Sequence, residues 1–274
     1  MINASTKLYA LIGNPVRHSL SPAIHNALFQ KYNVNGVYLA FEILDSKEMK
    51  DLVMSSRAFI RGFNITMPYK REVMGFLDEI SEEAEVIGAL NTVVNSNGRL
   101  IGYNTDGFGA FKALERETTM NNRKILLLGA GGAGRAIACS LSKSNEVVVL
   151  NRSVEKAKDL EGFGLKGDVL DKKNLESYMG WADILINATS VGMNEPKSIV
   201  PKDLLDDKHI VLDIVYSPLK TRLLKEAEEK GCKVIDGLWM LIYQGARSFE
   251  LWTGIQPDVD FMRKVALEAQ GNES

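Results

Sequence analysis

The sequence predicts an α/β fold divided between two domains. Three observations carry this prediction: short β-rich runs alternate with helical ones, the 274 residues exceed the ~100–150 typical of one domain, and a glycine-rich turn near residue 129 opens a second series of strands. Composition sets further limits. Apolar residues at 45% and charged residues at 25% are those of a soluble globular chain, and a formal net charge of -2 provides no field for nucleic acid or an anionic membrane surface. The amino terminus, MINASTKLYALIGNP, lacks the basic flank and apolar stretch of a signal peptide, and no run approaches the ~18 apolar residues of a membrane span. A cytoplasmic protein with no nucleic-acid or membrane partner is therefore expected, and a monomer and a homodimer fit the sequence equally. Cys139 and Cys232 are far apart and form no CxxC, and there are only three histidines, so neither a disulfide framework nor a metal site is expected.

The elements follow in order. LYALIG (8–13), GVYLAFEI (36–43) and IRGFNI (60–65) read as strands, separated by the helix-like SPAIHNALFQKY and SKEMKDLVMSS. NTVVNSNGRLIGYN (91–104) reads as a hairpin, because Asn97-Gly98 between two alternating runs supplies the positive φ angles of a type I′ turn. A helical bridge, GFGAFKALERE, leads into RKILLLGAGGAGRAIACSLS, EVVVLNRS, ADILINATSVGM, HIVLDIVYSPLK and CKVIDG. Two apolar-periodic stretches, LWMLIYQGARSFELW and VDFMRKVALEA, close the chain as helices. The domain change is expected at 106/107: residues 1–106, completed by 238–274, form the first domain and 107–237 the second.

The most specific local motif is LLLGAGGAG. Gly129, Gly131 and Gly134 make G-x-G-x-x-G directly after an apolar strand and before a helical pattern, the context in which glycines admit a pyrophosphate to a helix amino terminus. Gly129, Ala130, Gly131, Gly132, Ala133 and Gly134 are thus candidate cofactor contacts in a Rossmann-type domain. Where an NAD site would place an acid at the end of the second strand, the chain has LNRSVEK. Asn151 and Arg152 replace the carboxylate, and Arg152, Ser153 and Lys156 supply charge and donors for a 2′-phosphate, which favours NADP. Ser153 also suits the cap of the next helix.

The first half is then expected to bring a small-molecule substrate. GNPVRHSLSP places Ser21 as a helix cap with Pro22 at the first helical position, leaving Ser19 as a hydroxyl near a helix amino terminus. NITMPYK runs from a strand into a turn that delivers Lys70, and GALNTV and GYNTDGFG place Asn91 and Asp106 at strand ends. Taken singly, each of these residues has a structural reading as turn or cap, and Asp106 before Gly107 suits an N-cap.

Together they resemble a known family. GNPVRHSLSPAIHN, GFNITMPYK, GALNT, GYNTDGFG, GAGGAGRA, NRS, INATSVGM, DIVYSPLKT and DGLWMLIYQGA occur in the order and spacing of the shikimate dehydrogenases, over residues 9 to 254. The resemblance implies an α/β substrate domain, an NADP-binding Rossmann domain and a cleft between them. It also implies the reversible NADPH-dependent reduction of 3-dehydroshikimate to shikimate, in the pathway to aromatic compounds. On this resemblance Lys70 and Asp106 would be the catalytic pair. Ser19 and Ser21 would hold the substrate carboxylate with Tyr216, and Thr66, Asn91, Asp106 and Gln244 would take its hydroxyls. Gly129 to Gly134 would take the pyrophosphate, Asn151, Arg152, Ser153 and Lys156 the adenosine phosphate, and Ile214 and Gly237 would lie near the nicotinamide.

The chemistry of the residues agrees with that assignment. Reduction of a ketone needs a proton at the oxygen as hydride arrives, and no His–Asp pair is suggested: His18 and His25 flank a helix start and His209 opens a strand, positions for packing or capping. Lys70 is the group expected to exchange the proton, with Asp106 orienting Lys70 and a substrate hydroxyl. Neutral hydroxyls and amides suit a small polyhydroxylated acid. Ile65 stands where the family usually has valine, and Trp239 and Gly245 where a small residue and an alanine are common. Trp239 either crowds the nicotinamide face or packs on the domain seam, while Phe249 and Trp252 are expected in a helix core. Alternatives are a quinate/shikimate dehydrogenase using NAD, a folate dehydrogenase on a related scaffold, and a non-catalytic shikimate sensor.

Overall fold

A computed structural model describes residues 2–271. The chain divides into two compact units, one reaching Thr105 and resuming at Gln244, the other spanning Asp106–Tyr243.

The first unit contains β1 (Lys7–Gly13), α1 (Ser21–Lys31), β2 (Gly36–Glu42), α2 (Ser46–Ser56), β3 (Ile60–Ile65), β4 (Glu79–Ile80), α3 (Glu82–Ile87), β5 (Thr92–Ser96) and β6 (Arg99–Tyr103). Its sheet runs β2-β1-β3-β5-β6-β4. β2 and β3 flank β1 in parallel, whereas β5 is antiparallel to both β3 and β6. The hairpin turn is the one its sequence dictates, with Asn97 at φ 54° and Gly98 at φ 92°. This register has a consequence for the polar motifs. The carboxyl ends of β1, β3 and β6 and the amino end of β5 fall on the same sheet edge, so the segments carrying Ser19 and Ser21, Thr66 and Lys70, Asn91, and Thr105 all leave from that edge.

The second unit contains α4 (Asp106–Glu115), β7 (Lys124–Leu128), α5 (Gly132–Leu141), β8 (Glu146–Asn151), α6 (Val154–Lys158), β9 (Lys166–Val169), α7 (Lys172–Trp181), β10 (Ile184–Asn187), β11 (Ile210–Asp213), α8 (Arg222–Glu229) and β12 (Lys233–Ile235). Its sheet is parallel throughout, in the order β12-β11-β10-β7-β8-β9, the doubly wound Rossmann arrangement with its switch point between β7 and β10. Period-two alternation sorts the side chains to two cores. Ile125, Leu127, Val147, Val149, Ile184 and Ile186 pack on one face, and Leu126, Leu128, Val148, Leu150 and Leu185 on the other.

Helix α9 (Gly237–Thr253) starts in the second unit and ends in the first, and α10 (Val259–Gly271) follows it. Trp239, Met240 and Tyr243 pack on the second unit's core, which carries that unit six residues past the expected boundary at 237/238. Beyond Gln244, Phe249 and Trp252 join Tyr9, Phe29, His25 and Tyr38 in an aromatic cluster of the first unit. The Trp252 indole donates to Val93 O at 3.0 Å, and a Cβ on Gly62 would stand 2.3 Å from the indole nitrogen, so this strand position requires glycine.

Two capping expectations are corrected. Leu20, not Ser21, is the cap of α1, and no side chain bonds there; Ser21 is the first helical residue, directly before Pro22. Ser153 does occupy the cap of α6 but makes no capping hydrogen bond, because its hydroxyl donates to Glu155 Oε2 at 2.8 Å instead. The weak, polar stretches 66–90 and 159–181 carry no clear period, and there the chain forms β4, α3, β9 and α7, whereas the helix expected after Ser153 is α6.

Candidate functional site

The sheet edge of the first unit is polar and tightly tied. Ser21 donates its backbone N–H to Ser19 Oγ at 3.3 Å, so the two serines are held as a pair. Thr66 follows β3 with its N–H on Ile12 O at 2.9 Å, and its methyl would lie 2.2 Å from any Cβ on Gly13, which accounts for glycine at the end of β1. Lys70 closes the turn after Thr66, and its carbonyl accepts the Leu90 N–H at 2.9 Å.

Asn91 is the centre of a buried network. Its Oδ1 accepts the Thr105 backbone N–H at 2.8 Å, which fixes the orientation of the amide, since that backbone group can only donate. Its Nδ2 donates to Thr105 Oγ1 at 3.0 Å and to Gln244 Oε1 at 3.2 Å, joining positions far apart in the chain. Behind Asn91, Asn64 Nδ2 lies 3.0 Å from Asn91 O, 3.1 Å from Thr92 Oγ1 and 3.1 Å from Ser248 Oγ, while Asn64 Oδ1 accepts the Tyr38 phenol at 2.8 Å. Tyr38, Asn64, Asn91, Thr92, Thr105 and Ser248 are all buried. Burial raises the Tyr38 phenol pKa well above its ordinary value, opposed by a hydrogen bond with Ser21, so the network stays neutral. Polar groups this deep are costly unless satisfied, and mutual pairing makes the arrangement rigid.

Sequence reasoning identified Asn91 and Gln244 and missed Tyr38, Asn64, Thr92, Thr105 and Ser248. Asn64 and Thr105 did carry a signal: a polar residue on an otherwise apolar strand, FNI, and a threonine directly before the candidate Asp106 in YNTD. Ser248 and Tyr38 carried none, because each reads as an ordinary residue of its element. The remaining candidates lie in the second unit. Asp106 is the first residue of α4 and is buried, and Tyr216 follows β11, half-buried.

The nucleotide side is built on the β7–α5 turn. Gly129 has φ 105°, and a Cβ there would stand 2.9 Å from Ala188 O; a Cβ on Gly134 would stand 2.1 Å from Gly129 O. Gly131 is different. It caps α5 without a side-chain hydrogen bond, and a Cβ on it would meet nothing within 4 Å, so the space over the helix amino terminus is open to a ligand. A dinucleotide pyrophosphate fits this cradle of backbone N–H groups. Asn151 clips the turn together, accepting Ala130 N–H at 3.2 Å and donating to Ser153 O at 2.9 Å, while Arg152 and Lys156 are exposed. Ile214 and Gly237 are brought together: a Cβ on Gly237 would lie 2.4 Å from Ile214 O.

Three family profiles match in chain order. They are the shikimate dehydrogenase substrate binding domain over residues 11–93, shikimate / quinate 5-dehydrogenase over 112–212, and the shikimate 5′-dehydrogenase C-terminal domain over 237–267. A shikimate dehydrogenase (NADP(+)) of Pyrococcus furiosus is 60% identical over 268 residues, covering 97% of each chain. The chain belongs to the shikimate dehydrogenase family. Solved structures of the family agree in fold. A shikimate dehydrogenase in complex with NADP+ superposes with a TM-score of 0.91 at 42% identity, covering 98% of this chain and 97% of that one. The enzyme from Thermus thermophilus in complex with NADP(H) and shikimate gives 0.90 at 40%, covering 96% of this chain and 100% of that one.

The departures from the family's motifs are accommodated locally. Ile65 is buried in the first unit's core. An alanine at Gly245 would meet Met262 at 3.5 Å and His25 at 3.8 Å, ordinary contact distances, so glycine there reflects no steric demand. Trp239 packs on the second unit's core, with the Arg116 guanidinium 3.6 Å above its ring and Tyr243 stacked at 5.9 Å. No helix among the described residues is long and apolar enough to cross a membrane.

Proposed function

We propose that the protein is a shikimate dehydrogenase that reversibly reduces 3-dehydroshikimate to shikimate with NADPH, acting in the cytoplasm as a monomer or homodimer. One observation carries the reading. The segments carrying Ser19, Ser21, Thr66, Lys70 and Asn91 leave one sheet edge, to which Gln244 of α9 is hydrogen-bonded through Asn91, and these six residues together offer neutral donors and acceptors and the Lys70 ammonium. Such a surface suits a small acid with several hydroxyls. The names of the relatives support the same substrate and cofactor.

NADPH, when bound, supplies the hydride to the ketone carbon. The chain's own residues supply the rest. Lys70 gives the proton that the ketone oxygen needs and takes it back in the reverse direction, and Asp106 orients Lys70 and a substrate hydroxyl. Ser19, Ser21 and Tyr216 hold the carboxylate; Thr66, Asn91, Asp106 and Gln244 take the hydroxyls. The cradle from Gly129 through Gly134 receives the pyrophosphate, Ile214 and Gly237 border the nicotinamide, and Asn151, Arg152, Ser153 and Lys156 hold the adenosine phosphate. In this reading residues 1–106 with 238–274 carry substrate, and 107–237 carry NADP.

The test follows nicotinamide reduction at 340 nm with shikimate and quinate, each with NADP and NAD. Rapid turnover with shikimate and NADP is expected. Equal rates with NAD would remove the role given to Arg152, and binding of shikimate without turnover by any pairing would move the protein to the sensor reading.

A further inference from the structure

Ser248 lies one helical turn beyond Gln244 on α9 and is fully buried. Its surroundings use all of its hydrogen-bonding capacity. The hydroxyl donates back along the helix to Gln244 O at 3.0 Å, while Asn64 Nδ2 at 3.1 Å and Thr92 Oγ1 at 2.8 Å are placed to donate to its lone pairs. Asn64 and Thr92 face each other across the β3–β5 pair. The turn of α9 that carries Gln244 is therefore fastened to the sheet edge from which Thr66 and Lys70 depart. Helix formation and packing alone would favour alanine at a buried mid-helix position over a serine with a polar group to satisfy.

We propose that Ser248 is a positioning residue for substrate recognition: it fastens α9 to Asn64 and Thr92 so that the Gln244 side chain meets Asn91 and is presented to a substrate hydroxyl. The inference rests on the proposed contact between Gln244 and substrate. Removing the hydroxyl strands neither partner, because Asn64 keeps Asn91 O and the Thr92 hydroxyl turns its single hydrogen to Asn91 Oδ1 at 3.1 Å, so the substituted chain retains its fold. Gln244 loses only its register.

The experiment measures steady-state oxidation of shikimate with NADP+ by the wild type, Ser248→Ala, Thr92→Val, Gln244→Ala and the Ser248→Ala/Gln244→Ala double variant. Thr92→Val removes one of the two fastening bonds from the sheet side without changing shape and leaves the other, from Asn64 Nδ2, in place. Ser248→Ala and Thr92→Val are each expected to raise KM for shikimate by about three- to thirtyfold, with kcat within about twofold and KM for NADP+ unchanged. Ser248→Ala is expected to add nothing in the Gln244→Ala background. A KM effect of Ser248→Ala that persists in full in that background is general loosening and overturns the proposal. So does a wild-type KM in Ser248→Ala beside a raised one in Gln244→Ala. An unchanged KM in Gln244→Ala itself overturns the substrate contact, and this inference with it.

Discussion

Asn91 and Thr105 hold each other at both ends of one side-chain amide: Oδ1 accepts the Thr105 N–H at 2.8 Å and Nδ2 donates to Thr105 Oγ1 at 3.0 Å. Thr105 directly precedes Asp106, and Leu90, directly before Asn91, donates its N–H to the Lys70 carbonyl. A two-residue stretch therefore fixes the backbone beside each proposed catalytic residue. Asn91→Ala leaves the buried Thr105 N–H without its acceptor, at a cost of about 1–3 kcal/mol, whereas Thr105→Val keeps that bond and costs about 1 kcal/mol. Urea unfolding is expected to rank the two variants in that order; equal stabilities would mean that the backbone bond is dispensable.

Lys70→Ala is expected to lower kcat by about 10²–10⁴, the usual contribution of general acid–base catalysis, with a smaller change in KM. Asp106→Asn is expected to lower kcat less, since it orients rather than transfers the proton. Wild-type kcat in Lys70→Ala would make this lysine an ordinary solvated turn residue.

Gly131 and Gly134 separate folding from cofactor binding. Gly134→Ala places a methyl 2.1 Å from Gly129 O, so both thermal stability and NADP binding are expected to fall. Gly131→Ala meets nothing within 4 Å and is expected to unfold at the wild-type temperature, yet to weaken NADP binding about tenfold or more by occupying the pyrophosphate's approach. Calorimetric titration with NADP+ beside thermal scans checks both. Undiminished affinity in Gly131→Ala would place the pyrophosphate elsewhere.

Two buried groups give the units opposite responses to pH. Burial pushes the His25 imidazole from 6.5 down to about 3, so the unfolded chain takes up the proton first. Its contribution is present above about pH 6.5 and is lost on acidification, about 2 kcal/mol by pH 5. His25→Phe, which keeps the stacking on Tyr38, is expected to abolish that loss in urea melts of the first unit. Burial pushes the Asp213 carboxyl from 3.8 up to about 6, against hydrogen bonds from Thr221, Val215 and Asn187. Here the folded chain binds the proton more tightly, so stability of the second unit falls as pH rises from about 4 to about 6 and is level above. Asp213→Asn is expected to remove that slope, and an unchanged slope would assign it to another group.

Several local turns beside the candidate site were legible one residue at a time. Asn97-Gly98 specified the hairpin turn, and the spacing of Gly129, Gly131 and Gly134 specified the nucleotide turn, because both depend on backbone conformations that only a few residue types adopt. Ser153 was legible as the cap of α6 by position, but its hydroxyl went to Glu155, a choice between two nearby acceptors that spacing does not resolve. Ser21 misled for a similar reason: a serine before proline suits a cap, yet α1 begins one residue earlier.

By itself the sequence determined the strand and helix periods, the glycine turns and the order of the polar motifs, since each follows from local sterics and the alternation of apolar residues. Only the tertiary structure decided that Asn64, Thr92, Thr105 and Ser248 join Asn91 and Gln244 in one buried network. It also decided that α9 serves both units, with Trp239 on one core and Trp252 on the other. The physical reason is that a buried hydrogen bond pairs whichever donors and acceptors the sheet register and helix docking bring within about 3 Å, and that pairing leaves no mark on either partner's own stretch of sequence.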